Sequence, residues 1–294
     1  MVRLLLSAAI SDRPPNALHH AFLLAMCHDY HDTSEQIYLR RREPRNYFLK
    51  QPMSELDRHG FCILPGLLSQ AELERYQSHT DQQRIQSAGT RTILQHAWAG
   101  ELAQYLKTRL MAQGLLTANQ VAIQCNYFEK SSERNWLVAM HQDLSIPVKE
   151  RIEHASLGIW SRKEEGWYVQ PPLEILESLT AVRVHLDDCT MAHGPLRVIP
   201  GSHRVGKLSP DQISAYVTAS EELPCLVHSG SAVLMKPLLL HASSKATAPN
   251  RRRVLHFVFG PEVLPFGLAW QDHTVFDGTA TAGWAERKDA THDH

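Results

Sequence analysis

A chain of 294 residues can build one large domain or two small ones. Its 43% hydrophobic and 21% charged residues are ordinary for a globular protein and exclude wholesale disorder. Thirty basic against 31 acidic residues leave a formal net charge of −1; without a basic excess, neither a nucleic-acid partner nor a membrane surface is expected. No apolar run reaches the roughly 18 residues of a membrane-spanning helix. The five cysteines, at 27, 62, 125, 189 and 225, contain no Cys-x-x-Cys pair. That arithmetic favours buried, reduced thiols in a cytoplasmic protein over a zinc ribbon or a disulfide scaffold.

The first fifty residues differ from the rest. Leu4–Ile10 is about as long as the shortest signal-peptide core, but Asp12, Arg13 and two prolines follow without a small-residue cleavage site, so the segment is not read as a leader. His19, His20, His28 and His31 match no ligand spacing and are assigned to a solvated helix face. Arg40–Arg42 with Arg45 reads as a charged surface or linker. Residues 1–53 are accordingly treated as an N-terminal extension, helical or partly disordered.

From Ser54 the pattern becomes regular. Phe61–Leu64 is a short apolar strand followed by the turn pair Pro65-Gly66. Ser69 with Glu72 forms a capping box that opens a helix to about His79. A second helix, about Ala99 to Gln113, ends at Gly114, which suits a left-handed cap. Strand-like runs then take over: Val121–Phe128, Trp136–His141, Ala181–Leu186, Leu196–Ile199, Ser231–Leu240 and Arg253–Phe259. Helices interrupt them from Pro172, and after Ser209-Pro210 with Gln212 completing a second capping box. Helices first and many short strands afterwards predict a mainly β fold, a sandwich or barrel with flanking helices.

The chemistry concentrates at His141-Gln142-Asp143, where the run Trp136–Met140 ends. In a strand, residues two apart share a face, so imidazole and carboxylate converge while Gln142 turns away or reaches round from the rim. His241, 98 residues beyond Asp143, closes the apolar run Ala232–Leu240 and is the candidate third ligand. A barrel brings such distant strand ends together at its mouth. Two histidines and one carboxylate on one face of an octahedron are the ligand set of non-haem iron(II) oxygenases, and they leave the opposite positions open. Arg251-Arg252-Arg253 precedes the last strand, where an inward arginine would grip a carboxylate bidentately. Alternation groups Arg252 with Val254, His256 and Val258, and Arg253 with Leu255, Phe257 and Phe259. Both sets are largely apolar, so alternation leaves the inward arginine open.

Four segments together resemble the phytanoyl-CoA dioxygenase-like branch of the iron(II)/2-oxoglutarate oxygenases. They are SELDRHGFCILPGLLSQAELE at 54–74, MHQD at 140–143, VRVHLDDCTMAHGPLRVIPGSHR at 182–204 and KPLLLHASSKATAPNRRRVLHF at 236–257. The resemblance implies a double-stranded β-helix (jelly-roll) core over residues 54–267, with a C-terminal tail at 268–294. It implies Fe(II), 2-oxoglutarate and O2 as cofactor and co-substrates, and a small-molecule substrate that is hydroxylated. His141, Asp143 and His241 fall on the family's iron ligands, and Arg252, eleven residues past His241, on the arginine that holds the far carboxylate of 2-oxoglutarate. Ser243 matches a position that assists that carboxylate, and Gln142 and Trp160 lie near positions lining the co-substrate pocket. Relatives that halogenate carry a small residue where Asp143 stands, so the resemblance implies hydroxylation or another oxidation.

The alternative from the ligand set alone is a non-oxidative jelly-roll metalloenzyme, a zinc-type hydrolase or isomerase, in which Arg252 has no task. Other patterns are assigned structural tasks. Gly201–Lys207 approaches a phosphate-binding loop, but Leu208 stands where Ser or Thr is required. Asp187-Asp188 point apart on an extended chain and are assigned to a strand end. His185 and His256 are read as hydrogen-bonded interior histidines. Glu150–Gln170, rich in aromatics and glycine, fits a lid or a packed insertion equally.

Overall fold

The computed structural model describes residues 52–83, 89–163 and 166–274. The expected N-terminal extension, with its histidines and Cys27, lies outside the described residues except for Pro52 and Met53, and so does the tail beyond Thr274. Helix α1 (Pro52–His59) leads into β1 (Phe61–Leu64). Helix α2 (Gln70–Gln82) starts at the predicted capping box: Ser69 Oγ accepts from the Glu72 N–H, and the Ser69 N–H donates to Glu72 Oε2 at 2.7 Å. Helix α3 (Ala97–Met111) is followed by Gly114 at φ +71, a left-handed residue that turns the chain toward the sheets.

Six antiparallel strands form the larger sheet in the order β1, β11 (Ala232–Met235), β8 (Thr180–His185), β13 (Arg252–Pro261), β3 (Gln120–Lys130) and β2 (Gly89–Thr90). Its period-2 alternation separates two environments. Cys125, Tyr127, Val182, Val184, Leu255 and Phe257 pack with Leu102, Leu106 and Leu110 of α3 and with Leu73 and Tyr76 of α2. Asn126, Arg183 and His256, on the other face, line a cavity. The smaller sheet, β10 (Leu223–Cys225), β9 (Leu196–Val198), β12 (His241–Ser243) and β4 (Val138–His141), supplies the opposite wall. Val198 and Leu196 of this sheet join Ala181, Val233 and Met235 of the larger one in a core that closes one end. This is the jelly roll.

In a third sheet, β5 (Ile146–Val148), β7 (Gly166–Val169) and β6 (Trp160–Lys163), the last two strands fall in the segment expected as lid or insertion. It is followed by the short helix α4 (Leu173–Glu177); helix α5 (Pro210–Ala219) opens at the predicted Ser209/Gln212 capping box. The chain past Gly267 continues into packed positions: Leu268 and Trp270 are buried, and Trp270 Nε1 donates to the Pro261 carbonyl at 2.7 Å.

Ser231–Leu240 is not one strand. β11 stops at Met235, the chain crosses between sheets through residues 236–240, and His241 starts β12 instead of closing the preceding strand. Pro237 has no N–H for a ladder, and its carbonyl accepts from the Asp143 N–H at 2.9 Å. Asp188 has its expected task, accepting from the Ser229 N–H at 2.8 Å. Asp187 grips Arg253 through its backbone N–H at 2.8 Å and its guanidinium at 2.8 and 2.9 Å, while Asp81 takes a third contact at 3.1 Å. Arg253 thus belongs to the helix side of β13. Replacing it by Met leaves Asp187 in a largely enclosed site without its cation; Arg253→Met should cost about 3 kcal/mol, read from the shift of the urea midpoint at unchanged slope.

Candidate active site

β12 pairs with β4 so that His241 and His141 are direct partners, with ring centroids 4.2 Å apart. Asp143 follows β4 by two residues, its carboxylate oxygens 3.7 Å from His141 Nε2 and 3.7 Å from His241 Nε2. One ligand atom from each of the three lies within 4.8 Å of the others. Both imidazoles are oriented alike: His141 Nδ1 donates to the Ala139 carbonyl and His241 Nδ1 to the Leu239 carbonyl, each at 2.8 Å. A carbonyl only accepts, so the ring proton sits on Nδ1 and the Nε2 lone pair is free for a metal. Burial pushes His241 down to about 4 against the opposing pull of Asp143, so the imidazole is neutral and ready to ligate at neutral pH. Enclosure raises the Asp143 carboxyl, but His241, His256, His141 and Arg183 together outweigh it and keep the group below the usual carboxylate range. These donors fit a divalent ion held on one face.

The triad opens into a cavity of about 320 Å³ between the two sheets, within the range of small-molecule sites. At one end stand Arg252 and Lys130, paired across β13 and β3. Arg252 is buried; its Nη1 donates to the Gly194 carbonyl at 3.0 Å, and its Nε has no partner among the described residues. Lys130 Nζ donates to Ser243 Oγ at 2.5 Å and to the Ser244 carbonyl. Ser243 Oγ donates in turn to the Gly194 carbonyl at 3.1 Å. Gly194 sits at φ +60, where an added Cβ would lie 2.3 Å from the Ser244 carbonyl oxygen. Burial, then Arg252 and Arg183, push the Lys130 ammonium down to about 7. This end of the cavity is built for an anion.

The structure brings together His141, Asp143, His241, Arg252 and Ser243, and of the three consecutive arginines it is Arg252 that lines the cavity. Gln142 and Trp160 lie elsewhere. Gln142 is a buried strut: its Nε2 donates to the Gly206 and Leu238 carbonyls, both at 2.8 Å, and its Oε1 accepts from the Leu208 N–H at 2.9 Å. The near phosphate-loop segment therefore serves as an anchor for the His-Gln-Asp turn. Trp160 shares a face of its sheet with Trp167, edge-on at 6.3 Å, whereas Lys163 and Tyr168, on the alternate positions, reach the cavity. His256 is both interior and cavity-lining, its Nδ1 accepting from Arg183 at 2.9 Å. His185 is interior, but neither ring nitrogen has a partner among the described residues; burial first, then Arg183 and Arg252, drives it far toward the neutral form. Lys130 and Arg183 were missed from sequence. The legible signal was a charge inside each apolar strand, which only a partner or a ligand makes tolerable.

A sequence profile described as Phytanoyl-CoA dioxygenase (PhyH) matches residues 56–254. The chain belongs to the phytanoyl-CoA dioxygenase family. No curated protein sequence matches it. Solved structures share the fold of this family member at low identity. The non-heme α-ketoglutarate-dependent carbocyclase SnoK from nogalamycin biosynthesis is 15% identical, covers 72% of this chain and 83% of its own, and superposes with a TM-score of 0.56. HygX from Streptomyces hygroscopicus, solved with iron bound, is 17% identical over 77% of this chain and 97% of its own, with a TM-score of 0.52. AviO1 from Streptomyces viridochromogenes Tue57 is 16% identical over 73% and 95%, with a TM-score of 0.51.

Removing a group that merely orients a ligand costs metal affinity about 10–100-fold. His241→Ala, which removes a ligand outright, should weaken manganese(II) binding by more than about 100-fold, measured by calorimetry with the fold checked by circular dichroism.

Proposed function

We propose that this protein is an iron(II)- and 2-oxoglutarate-dependent dioxygenase that hydroxylates a small organic substrate while converting 2-oxoglutarate to succinate. The observation that carries this reading is the coexistence, in one cavity of a family member, of a three-donor face and a buried arginine with an unfilled Nε. A zinc-type hydrolase would use the first and leave the second without a task.

His141, Asp143 and His241 would hold iron, which when bound supplies the oxygen activation that protein side chains lack. Arg252 and Lys130, the latter positioned by its bond to Ser243, would hold the far carboxylate of 2-oxoglutarate. Gln142 keeps His141 and Asp143 in register by tying their turn to residues 206–208 and 238. Ile123, Leu179, Ala181 and Val258 give the reacting region apolar walls and limit water there. Two further observations support the setting. Among the described residues no helix is long and apolar enough to cross a membrane. Cys62, Cys125, Cys189 and Cys225 are buried free thiols, in keeping with a reducing cytoplasm.

The test is 2-oxoglutarate turnover across a metabolite library, followed by mass spectrometry. Hydroxylation yields a product one oxygen atom heavier; a product two hydrogens lighter, or one of unchanged mass, would replace hydroxylation by desaturation, ring closure or epimerisation. Succinate formation should vanish in Asp143→Ala, and its persistence would overturn the assignment. Charge-assisted hydrogen bonds contribute about 1.5–3 kcal/mol, so Arg252→Gln should raise the 2-oxoglutarate KM about 10–100-fold.

Lys130 adds a pH dependence. Its folded pKa is depressed to about 7, and a carboxylate placed beside it raises that value again. Below pH 7 the ammonium is already charged. Above it, 2-oxoglutarate binding must take up a proton, so affinity should fall with rising pH by at most about tenfold per unit. Calorimetry in buffers of different ionisation enthalpy should register this uptake, and Lys130→Met should abolish it.

A further inference from the structure

The charges around the cavity do not cancel. Among the described residues, five cations (Arg91, Lys130, Lys163, Arg183 and Arg252) line it against a single carboxylate, Asp143. With the iron and 2-oxoglutarate of the reading above, the metal and Arg252 are matched by Asp143 and the co-substrate dianion. Lys130 can shed its proton near neutral pH when no carboxylate lies beside it. Arg183 has no such escape: even lowered to about 10 by burial and by Arg252, it remains a cation.

Arg183 is set for a ligand of its own. It lies on β8 directly across from His256, four residues along β13 from Arg252. At a rise of about 3.3 Å per residue the two backbone positions are about 13 Å apart along the strands. One edge of its guanidinium donates to His256 Nδ1 at 2.9 Å, and its Cζ lies 5.6 Å from the centre of the Phe128 ring. Its Nε is buried without a partner among the described residues, although the residue as a whole is only 8% exposed. The neighbouring inward positions, Ala181 on the same strand and Val258 opposite it, are apolar. A buried cation on the cavity wall, with no carboxylate bonded to it among the described residues and apolar neighbours at its side, recognises an organic anion.

We propose that Arg183 binds an anionic group of the primary substrate, so that this enzyme oxidises organic acids (carboxylates, sulfonates or phosphate esters) in preference to their neutral analogues. The proposal rests on the iron and 2-oxoglutarate reading, with the co-substrate occupying the Arg252 end.

The test uses full-length protein loaded with manganese(II) and saturated with 2-oxoglutarate under nitrogen. It is titrated with isobutyrate and methanesulfonate and with their neutral counterparts, isobutyramide and dimethyl sulfone. The acids should bind at least about tenfold more tightly, the scale of one charge-assisted contact. That preference should shrink to within about twofold in Arg183→Gln and persist in Arg183→Lys. Equal binding of acids and neutral analogues by the wild-type protein, including no binding of either, overturns the proposal without need of a variant. A fall of about tenfold or more in 2-oxoglutarate affinity in Arg183→Gln assigns Arg183 to the co-substrate and overturns the proposal alone. Failure of the wild-type protein to bind 2-oxoglutarate overturns both this proposal and the function it rests on.

Discussion

The register between β12 and β4 is the constraint on which the site depends. His241 and His141 meet because they are paired residues of neighbouring antiparallel strands, and a slip of one residue would turn His241 to the other face. A β-bulge between His241 and Ser243 interrupts the ladder immediately afterwards, so Ser243 pairs with Val138. Both remain on the cavity wall, one toward Asp143 and the other toward Lys130. Asp143 is placed by backbone, through its N–H on Pro237, and the intervening Gln142 locks the same turn from behind. The crossing segment after β11 therefore positions a side chain nearly a hundred residues earlier in the chain.

The larger sheet has a comparable division of labour. On β13, neighbouring arginines have opposite fates: Arg253 is neutralised on the helix side by Asp187 and Asp81, while Arg252 faces the cavity with its Nε unfilled. A buried guanidinium without a counter-ion is costly, and the sheet carries two on its inner face, Arg252 and Arg183, with Lys130 beside the first. Such a cluster favours an anionic ligand. The strain falls where ligands go, and the apolar clusters around α3 and the closed end of the jelly roll hold the scaffold against it.

The small β5–β7–β6 sheet completes the enclosure and shows how alternation selects among similar residues. Trp160 and Trp167 turn into an apolar cluster, whereas Lys163 and Tyr168, on the alternate positions of the same two strands, reach the cavity. An aromatic side chain near a co-substrate position in the text is therefore not necessarily one in space.

Local chemistry in the sequence was enough to determine the capping boxes at Ser69 and Ser209 and most strands; it also pointed to His141, Asp143 and His241, which the structure clusters, and the family resemblance pointed to Arg252, which lines the same cavity. These features are governed by interactions within a few residues or by motifs with restricted spacing, so they are legible in a linear text. Tertiary structure alone decided the rest. It split the run 231–240 between two sheets, because a proline and a crossing chain interrupt a pattern that hydrophobicity leaves continuous. It made Gln142 a strut and directed Trp160 away from the cavity, because both outcomes depend on partners far off in sequence. It also gathered Lys130, Arg183 and Arg252 about one space. Charges separated by dozens of residues acquire a common meaning only when folded strands bring them within electrostatic reach of one another.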